Sequence, residues 1–124
     1  MGLCVNSKLL SKMRHFPSLK KKEDFDRVYK KGRSKSNDLL IMYILKGEGK
    51  GSRIGISISK KVGNSVVRHR CARLIREAFR ATRENLAGIY DIIVIVRDKR
   101  AAAGLDVMMR KYVQLLRSHR VVRT

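Results

Sequence analysis

The stretch from about Val66 to Leu86 constrains this chain most, because a helical period of 3.6 residues sorts its side chains onto two opposed surfaces. Val67, Cys71, Leu74, Ala78 and Thr82, flanked by Ile75 and Phe79, gather on one side. His69, Arg73, Arg76, Arg80 and Arg83 fall within an arc of roughly 80° on the other, since steps of four and three residues track the helical period. Such a helix must lay its apolar side against another element and leave its arginine side outward. A merely solvated face mixes signs, with Glu and Lys three or four residues apart. Here Glu77, off the arc, is the only acid before Glu84. Unneutralised guanidinium groups favour phosphate, which they bind in bidentate fashion.

The rest of the chain supplies partners for the apolar side. The run Leu39 to Leu45 is apolar on both faces and lies between Ser36-Asn37-Asp38 and a loop holding Gly47, Gly49 and Gly51, which predicts a covered strand. A hairpin through that loop would pair it with Arg53 to Ser59. In this second strand Ile54, Ile56 and Ile58 share a core face, and Gly55, Ser57 and Ser59 make a shallow one. Asn64 or Ser65 can cap the long helix. Upstream, Ser18 can cap a first helix over 20–31, with Glu23 and Asp24 early, Phe25, Val28 and Tyr29 at helical spacing, and Gly32 as its stop. Tyr90 to Val96 reads as a β-branched strand, and Leu105, Met108, Met109, Tyr112, Val113, Leu115 and Leu116 mark a final amphipathic helix. The order α-β-β-α-β-α predicts an α+β fold, a two-layer sandwich with a small mixed sheet packed on helices. Residues 1–17 are expected to be a basic arm, 18–119 a single domain and 120–124 a C-terminal tail.

Charge narrows the function. Thirty Lys and Arg oppose ten Asp and Glu in 124 residues, a formal +20, while 44% apolar content suffices for one modest core. Self-repulsion of this size calls for a polyanionic partner, with nucleic acid ahead of an anionic membrane surface. Between Lys50 and Arg83 stand ten basic residues and one acid, so much of the excess is local.

Other classes fall away. The longest apolar run has seven residues, against the roughly 20 that span a bilayer. Lys8, Lys12 and Arg14 interrupt any secretory h-region, and Asn6 stands where an acylation signal after Met1-Gly2 needs Ser or Thr. The expected location is cytoplasmic. Cys4 and Cys71 lack the spacing of a zinc site or a disulfide framework and read as buried or incidental thiols. His15, His69 and His119 have neither metal-ligand spacing nor a nucleophile and orienting partner, so protein-borne catalysis is not expected. His69 fits a phosphate or base contact better than a general base. The Val62-Gly63-Asn64-Ser65 turn puts backbone N–H groups at a helix start but lacks the P-loop pattern, so no nucleotide or other small-molecule substrate is expected.

Aromatic residues are few. Phe25 and Tyr29 share one face of the first helix, and Tyr43 lies in the first strand. They can serve as core, or line an open cleft and stack on unpaired bases.

The continuous stretch from Arg53 through Ser59, Lys60-Lys61-Val62-Gly63-Asn64 and Arg68-His69-Arg70 to Phe79 resembles the signature of the bacterial ribonuclease P protein component. The family pattern is a Ser-Lys-Lys-x-Gly-Asn strand exit followed by an Arg-Asn-Arg helix with further basic residues. Glu23-Asp24-Phe25, Val28-Tyr29, Gly32 and the strand around Tyr43 match as well, extending the resemblance over about residues 16–118. Two positions depart: His69 replaces the Asn between the signature arginines, and Ala72 replaces a usual Lys.

The resemblance implies a small basic protein that joins a catalytic RNA and helps it remove the 5′ leader from precursor tRNA, with Mg²⁺ used by the RNA active site. None is expected to be bound by the protein alone. It implies that Arg68, Arg70, Arg73 and Arg76 contact the RNA subunit and that Lys60 and Lys61 extend that surface. Asn64, His69 and Arg80 complete the candidate RNA-binding set. Phe25, Tyr29 and Tyr43 match the aromatic positions of a cleft for the single-stranded leader. A left-handed βαβ crossover is implied too. A structural RNA-binding protein of ribosomal type fits the composition as the alternative.

Overall fold

The structure, a computed structural model, describes residues 18–123. In chain order it contains α1 (Lys22–Lys31), β1 (Arg33–Ser36), β2 (Leu40–Lys46), β3 (Arg53–Ser57), α2 (Ser65–Thr82), β4 (Tyr90–Val96) and α3 (Leu105–His119), with 3₁₀ turns at Arg83–Asn85 and Lys99–Ala102. The α+β class holds, with one strand more than the pattern showed. β1 reads Arg-Ser-Lys-Ser and is exposed throughout, so it carries no apolar alternation. Its strand character comes from antiparallel pairing with β2, from Arg33 opposite Ile44 to Ser36 opposite Ile41. A short, charged strand is also what protects a sheet edge from further pairing.

The expected hairpin between the second and third strands does not form. The sheet order is β1-β2-β4-β3, with β2 antiparallel to β1 and β4, and β3 parallel to β4. The physical reason is coverage: Ile92, Ile93, Val94 and Val96 are buried along β4, so this strand needs neighbours and cover on all sides. It takes the interior place beside β2. β3, with glycine and serine on one face, goes to the edge. The linker passes across β4, where the Gly47 amide donates to the Ile89 carbonyl (2.8 Å). Because β3 and β4 are parallel and joined through α2, they form a βαβ unit.

Alternation along the two central strands builds a core on each side of the sheet. Leu40, Met42 and Ile44 with Ile92, Val94 and Val96 point to α2 and α3, packing on Cys71, Ile75, Ala78, Phe79, Met108, Tyr112, Leu115 and Leu116. Tyr43, Leu45, Ile93 and Ile95 point to the other side, where Leu19, Phe25, Val28 and Tyr29 cover them. The helices therefore occupy both faces of the sheet, α1 alone on one, and the two-layer picture gains a third layer.

Several local expectations change. Ser18 does not cap α1; the N-cap is Lys21, without a side-chain bond, and Ser18 bridges to Ile54 while the Leu19 amide donates to the Ile54 carbonyl (2.9 Å). These two residues extend along the outer edge of β3. Asn64 does cap α2, its Oδ1 accepting from the Val67 amide (3.0 Å). Cys71 is buried on the inner side of α2, and that burial pushes its thiol pKa up. α2 ends at Thr82, with the last turn before Leu86 tightened to 3₁₀. The expected C-terminal tail is instead part of the domain through Arg123. Val121 is buried, its carbonyl accepts from Ala87 (2.7 Å), and Arg123 donates its amide to Asn85 (2.7 Å). The expected arm, Cys4, His15 and Pro17 lie outside the described residues.

His119 shows how this core titrates. It is 2% exposed, its Nε2 lies 3.0 Å from the Met42 carbonyl, so Nε2 donates, and its buried Nδ1 has no partner. Burial pushes its pKa below the usual imidazole value; the Met42 bond opposes this, while Arg33 and Lys35 add to the depression. The unfolded chain takes up this proton below about pH 6.5 and the folded chain resists it, so stability falls as pH drops through that region. His119→Gln, which keeps the donor and removes the titration, is expected to flatten the stability profile between about pH 7 and 5 in urea unfolding.

Candidate nucleic-acid interface

The long helix presents the arc that its spacing demands. Cys71, Ile75, Ala78, Phe79 and Thr82 are buried, and His69, Arg73 and Arg76 are exposed on the opposite side. Arg80 continues the arc but pairs with Glu77 (2.6 Å), so its charge is partly answered. Lys60 and Lys61 are exposed in the turn that leads from β3 toward α2. Asn64 spends its oxygen on the helix cap. Arg68 and Arg70 flank the arc: Arg68 Nε donates to the Gly63 carbonyl (3.3 Å) and Arg70 Nε to the Ala102 carbonyl (2.6 Å). Those bonds orient both stems yet leave further guanidinium donors on each side chain.

Between α2 and the edge of β3 lies an open depression of about 290 Å³, lined by Ile56, Ile58, Ser65, Arg68, His69, Ala72 and Arg76. It offers an apolar floor under a cationic rim. Ala72, the departure from the family's Lys, makes one wall small. His69 stands at its lip with Arg76 about two turns further along the helix.

On the other side of the sheet the three aromatics meet. Tyr29 and Tyr43 are T-shaped with centroids 5.0 Å apart, and Phe25 lies 6.2 Å from Tyr29. All three are half-buried, resting on the Leu19, Val28 and Ile93 core with one side open. Strand register puts Ser34, Tyr43, Ile93 and Gly55 in one row and Ser36, Ile41, Ile95 and Ser57 in the next. Burial raises the Tyr29 pKa, against a hydrogen bond with Ser57 that lowers it. The aromatics are thus neither pure core nor free platforms. They form one wall of a shallow trough floored by small and apolar side chains.

Gly55 makes room for that wall. A Cβ there would sit 2.9 Å from Phe25 Cζ and 3.2 Å from Leu19 Cδ1. Gly55→Val is expected to displace the Phe25 ring and cost about 1–3 kcal/mol, read as a lowered urea midpoint.

A charged cluster that the sequence reading missed fixes α1 above the trough. Asp91, 1% exposed, receives Arg27 Nη2 (2.7 Å), Arg53 Nε (3.0 Å) and Arg53 Nη2 (2.9 Å), while Arg53 Nη1 also reaches Asp24 (3.4 Å). Burial alone would raise the Asp91 pKa, but the two guanidinium groups outweigh it and hold the carboxyl below the usual carboxylate range. Arg53, counted above in the basic block, is therefore committed inside the protein. The available signal was an isolated acid opening an otherwise apolar strand.

Among the described residues no three His, Cys, Asp or Glu side chains gather where they could hold a metal ion. Among the described residues, too, no helix is long and apolar enough to cross a membrane.

The chain matches the Ribonuclease P family model over residues 13–120. It is 40% identical over 105 residues to the ribonuclease P protein component of Lachnoclostridium phytofermentans, covering 85% of this chain and 90% of that one. The Clostridioides difficile component is 50% identical over 80 residues, 64% of this chain and 70% of its own. Among solved structures, the Staphylococcus aureus RNase P protein superposes with TM-score 0.77 at 35% identity, covering 86% of this chain and 98% of that one. The Thermotoga maritima RNase P protein gives TM-score 0.72 at 28% identity, covering 82% and 96%. Matched by the family model over residues 13–120, and alike to such relatives in sequence and fold over most of its length, this chain belongs to the bacterial ribonuclease P protein component family.

Proposed function

We propose that this protein binds the catalytic RNA of ribonuclease P through the arginine face of α2 and holds the 5′ leader of precursor tRNA in the trough beside α1, promoting removal of the leader. The observation that carries this reading is the division of labour across one sheet: cations on the α2 side, half-exposed aromatics on the other. Guanidinium groups suit the phosphates of a folded RNA, whereas half-exposed rings beside small side chains suit unpaired bases. Such a protein works as an electrostatic and shape cofactor in the cytoplasm, and the cleavage step belongs to the RNA. Mg²⁺ on this reading serves the RNA active site. The family match favours a processing subunit over a ribosomal structural protein.

A leader-length series tests the trough. Tyr43→Ala in the holoenzyme is expected to weaken binding of a precursor with a long leader about 5- to 150-fold, the worth of one stacked base. Mature tRNA should bind unchanged. Equal weakening of both would remove the leader from this surface.

A further inference from the structure

A second cationic surface lies on α3, outside the arc of α2 and outside the trough. The buried side of α3 is Met108, Tyr112, Leu115, Leu116 and His119. Opposite it, Arg110 and Arg117 stand exposed on one stripe with Asp106 as the only acid, beside the half-buried Met109 and Val113. These residues and Gln114 line an open groove of about 660 Å³. Arg120 follows the helix, and exposed Lys35 of β1 faces the same side of the sheet, opposite Met42. Where this protein needs to quench cations on α3, it does so: Lys111, on another side of the helix, pairs with Asp38 (2.8 Å). No carboxylate among the described residues pairs with Arg110, Arg117, Arg120 or Lys35.

The negative end of the α3 dipole accounts for cations in its last turn, but not for Arg110 in its second turn or for Lys35 on a neighbouring strand. Backbone conformation supplies an independent sign. Arg120 has φ 59° and is the one non-glycine residue with positive φ among those described. Its amide closes the helix onto Leu116 and Arg117, a cap position that ordinarily belongs to glycine. Holding a β-carbon there is unfavourable, and a residue kept in such a conformation points to a use for its side chain.

We propose that the outer stripe of α3, Arg110 and Arg117 continued by Arg120, is a second docking surface for the catalytic RNA, receiving a phosphate backbone apart from the one that α2 meets. This rests on the reading above that α2 binds that RNA. A polyanion is the complementary occupant, because a second copy of this chain would set like charges together. The RNA subunit rather than precursor tRNA is the source, because α3 shares with α2 the face of the sheet opposite the leader trough.

The test is equilibrium binding of the full chain to ribonuclease P RNA across a salt series. Arg110→Gln/Arg117→Gln should lower the slope of log K against log salt by roughly 1.4–1.8 and weaken binding roughly 25- to 60-fold near 0.1 M salt, at 0.7–0.9 per lost phosphate contact. Arg120→Gly should weaken binding while raising the Tm by several degrees, opposite signs that a purely structural role would not give. Unchanged slopes in both variants, alongside a reduced slope in Arg73→Ala/Arg76→Ala, would overturn the α3 surface and leave the function intact. Loss of affinity for precursor tRNA with undiminished affinity for the RNA subunit would overturn it too, by naming the wrong occupant. If the unaltered protein does not bind the RNA at all, the reading of α2 falls first and this proposal with it.

Discussion

Arg53→Met is expected to cost about 3 kcal/mol of folding stability and to lower the Tm by roughly 12–20 °C. Arg53 supplies two of the three short bonds to Asp91, a carboxylate with 1% exposure. Removing it leaves that charge out of water with Arg27 alone. Breaking a buried pair in this way costs about 3–5 kcal/mol, and the surviving Arg27 contact sets the lower end of that range. The converse change is milder. Asp91→Leu added to Arg53→Met removes the buried charge itself, and Arg27, 29% exposed, can turn its head to water. The double variant should regain most of the lost stability. Chemical denaturation of the three proteins measures both steps; equal loss in the single and double variants would contradict a charge-burial origin.

The same cluster sets an acid limit. Asp91 is held below the usual carboxylate range in the folded protein, so the folded state binds this proton less readily than the unfolded chain. Its stabilising contribution is complete above the unfolded value of about 3.9 and is lost as pH falls through the lower folded value. This acid limit lies below the one set by His119, so the two separate on a pH series.

Arg73→Ala/Arg76→Ala is expected to weaken binding to the RNA subunit by roughly 25- to 60-fold near 0.1 M salt, with little change in stability. Each lost phosphate contact removes roughly 0.7–0.9 from the slope of log K against log salt, and at 0.1 M that slope converts to a similar number of decades in K. Both side chains are exposed on the outer arc of α2, so their truncation leaves no cavity. Stability should stay within about 0.5 kcal/mol. Filter binding over a salt series gives the slope. Weaker binding at unchanged slope would mean that these residues act through something other than phosphate.

The parts of this protein governed by local periodicity were legible in its residues. The apolar and cationic sides of α2 follow from steps of three and four residues, and Asn64 caps because its oxygen reaches the Val67 amide. Strand neighbours were not legible in the same way. Leu39 to Leu45 and Arg53 to Ser59 are joined by a glycine-rich loop that suits a hairpin, but β4 competes for the same edge with a more completely apolar strand. That competition involves residues far apart in the chain. β1 escaped because Arg33 to Ser36 has no pattern of its own, and the Asp91 cluster because its members are 24, 27, 53 and 91 in the chain. The resemblance named the aromatics and the signature arginines, while their distribution on two sides of one sheet needed the three-dimensional register.

On the proposed function, this protein makes a catalytic RNA work better without doing the chemistry itself. Reconstitution with the cognate ribonuclease P RNA at low Mg²⁺, with cleavage of a leader-bearing precursor tRNA as the readout, tests it most directly. Clear stimulation of 5′ leader removal by the protein, with none by the protein without RNA, is the predicted result; no gain in cleavage on adding the protein would contradict it.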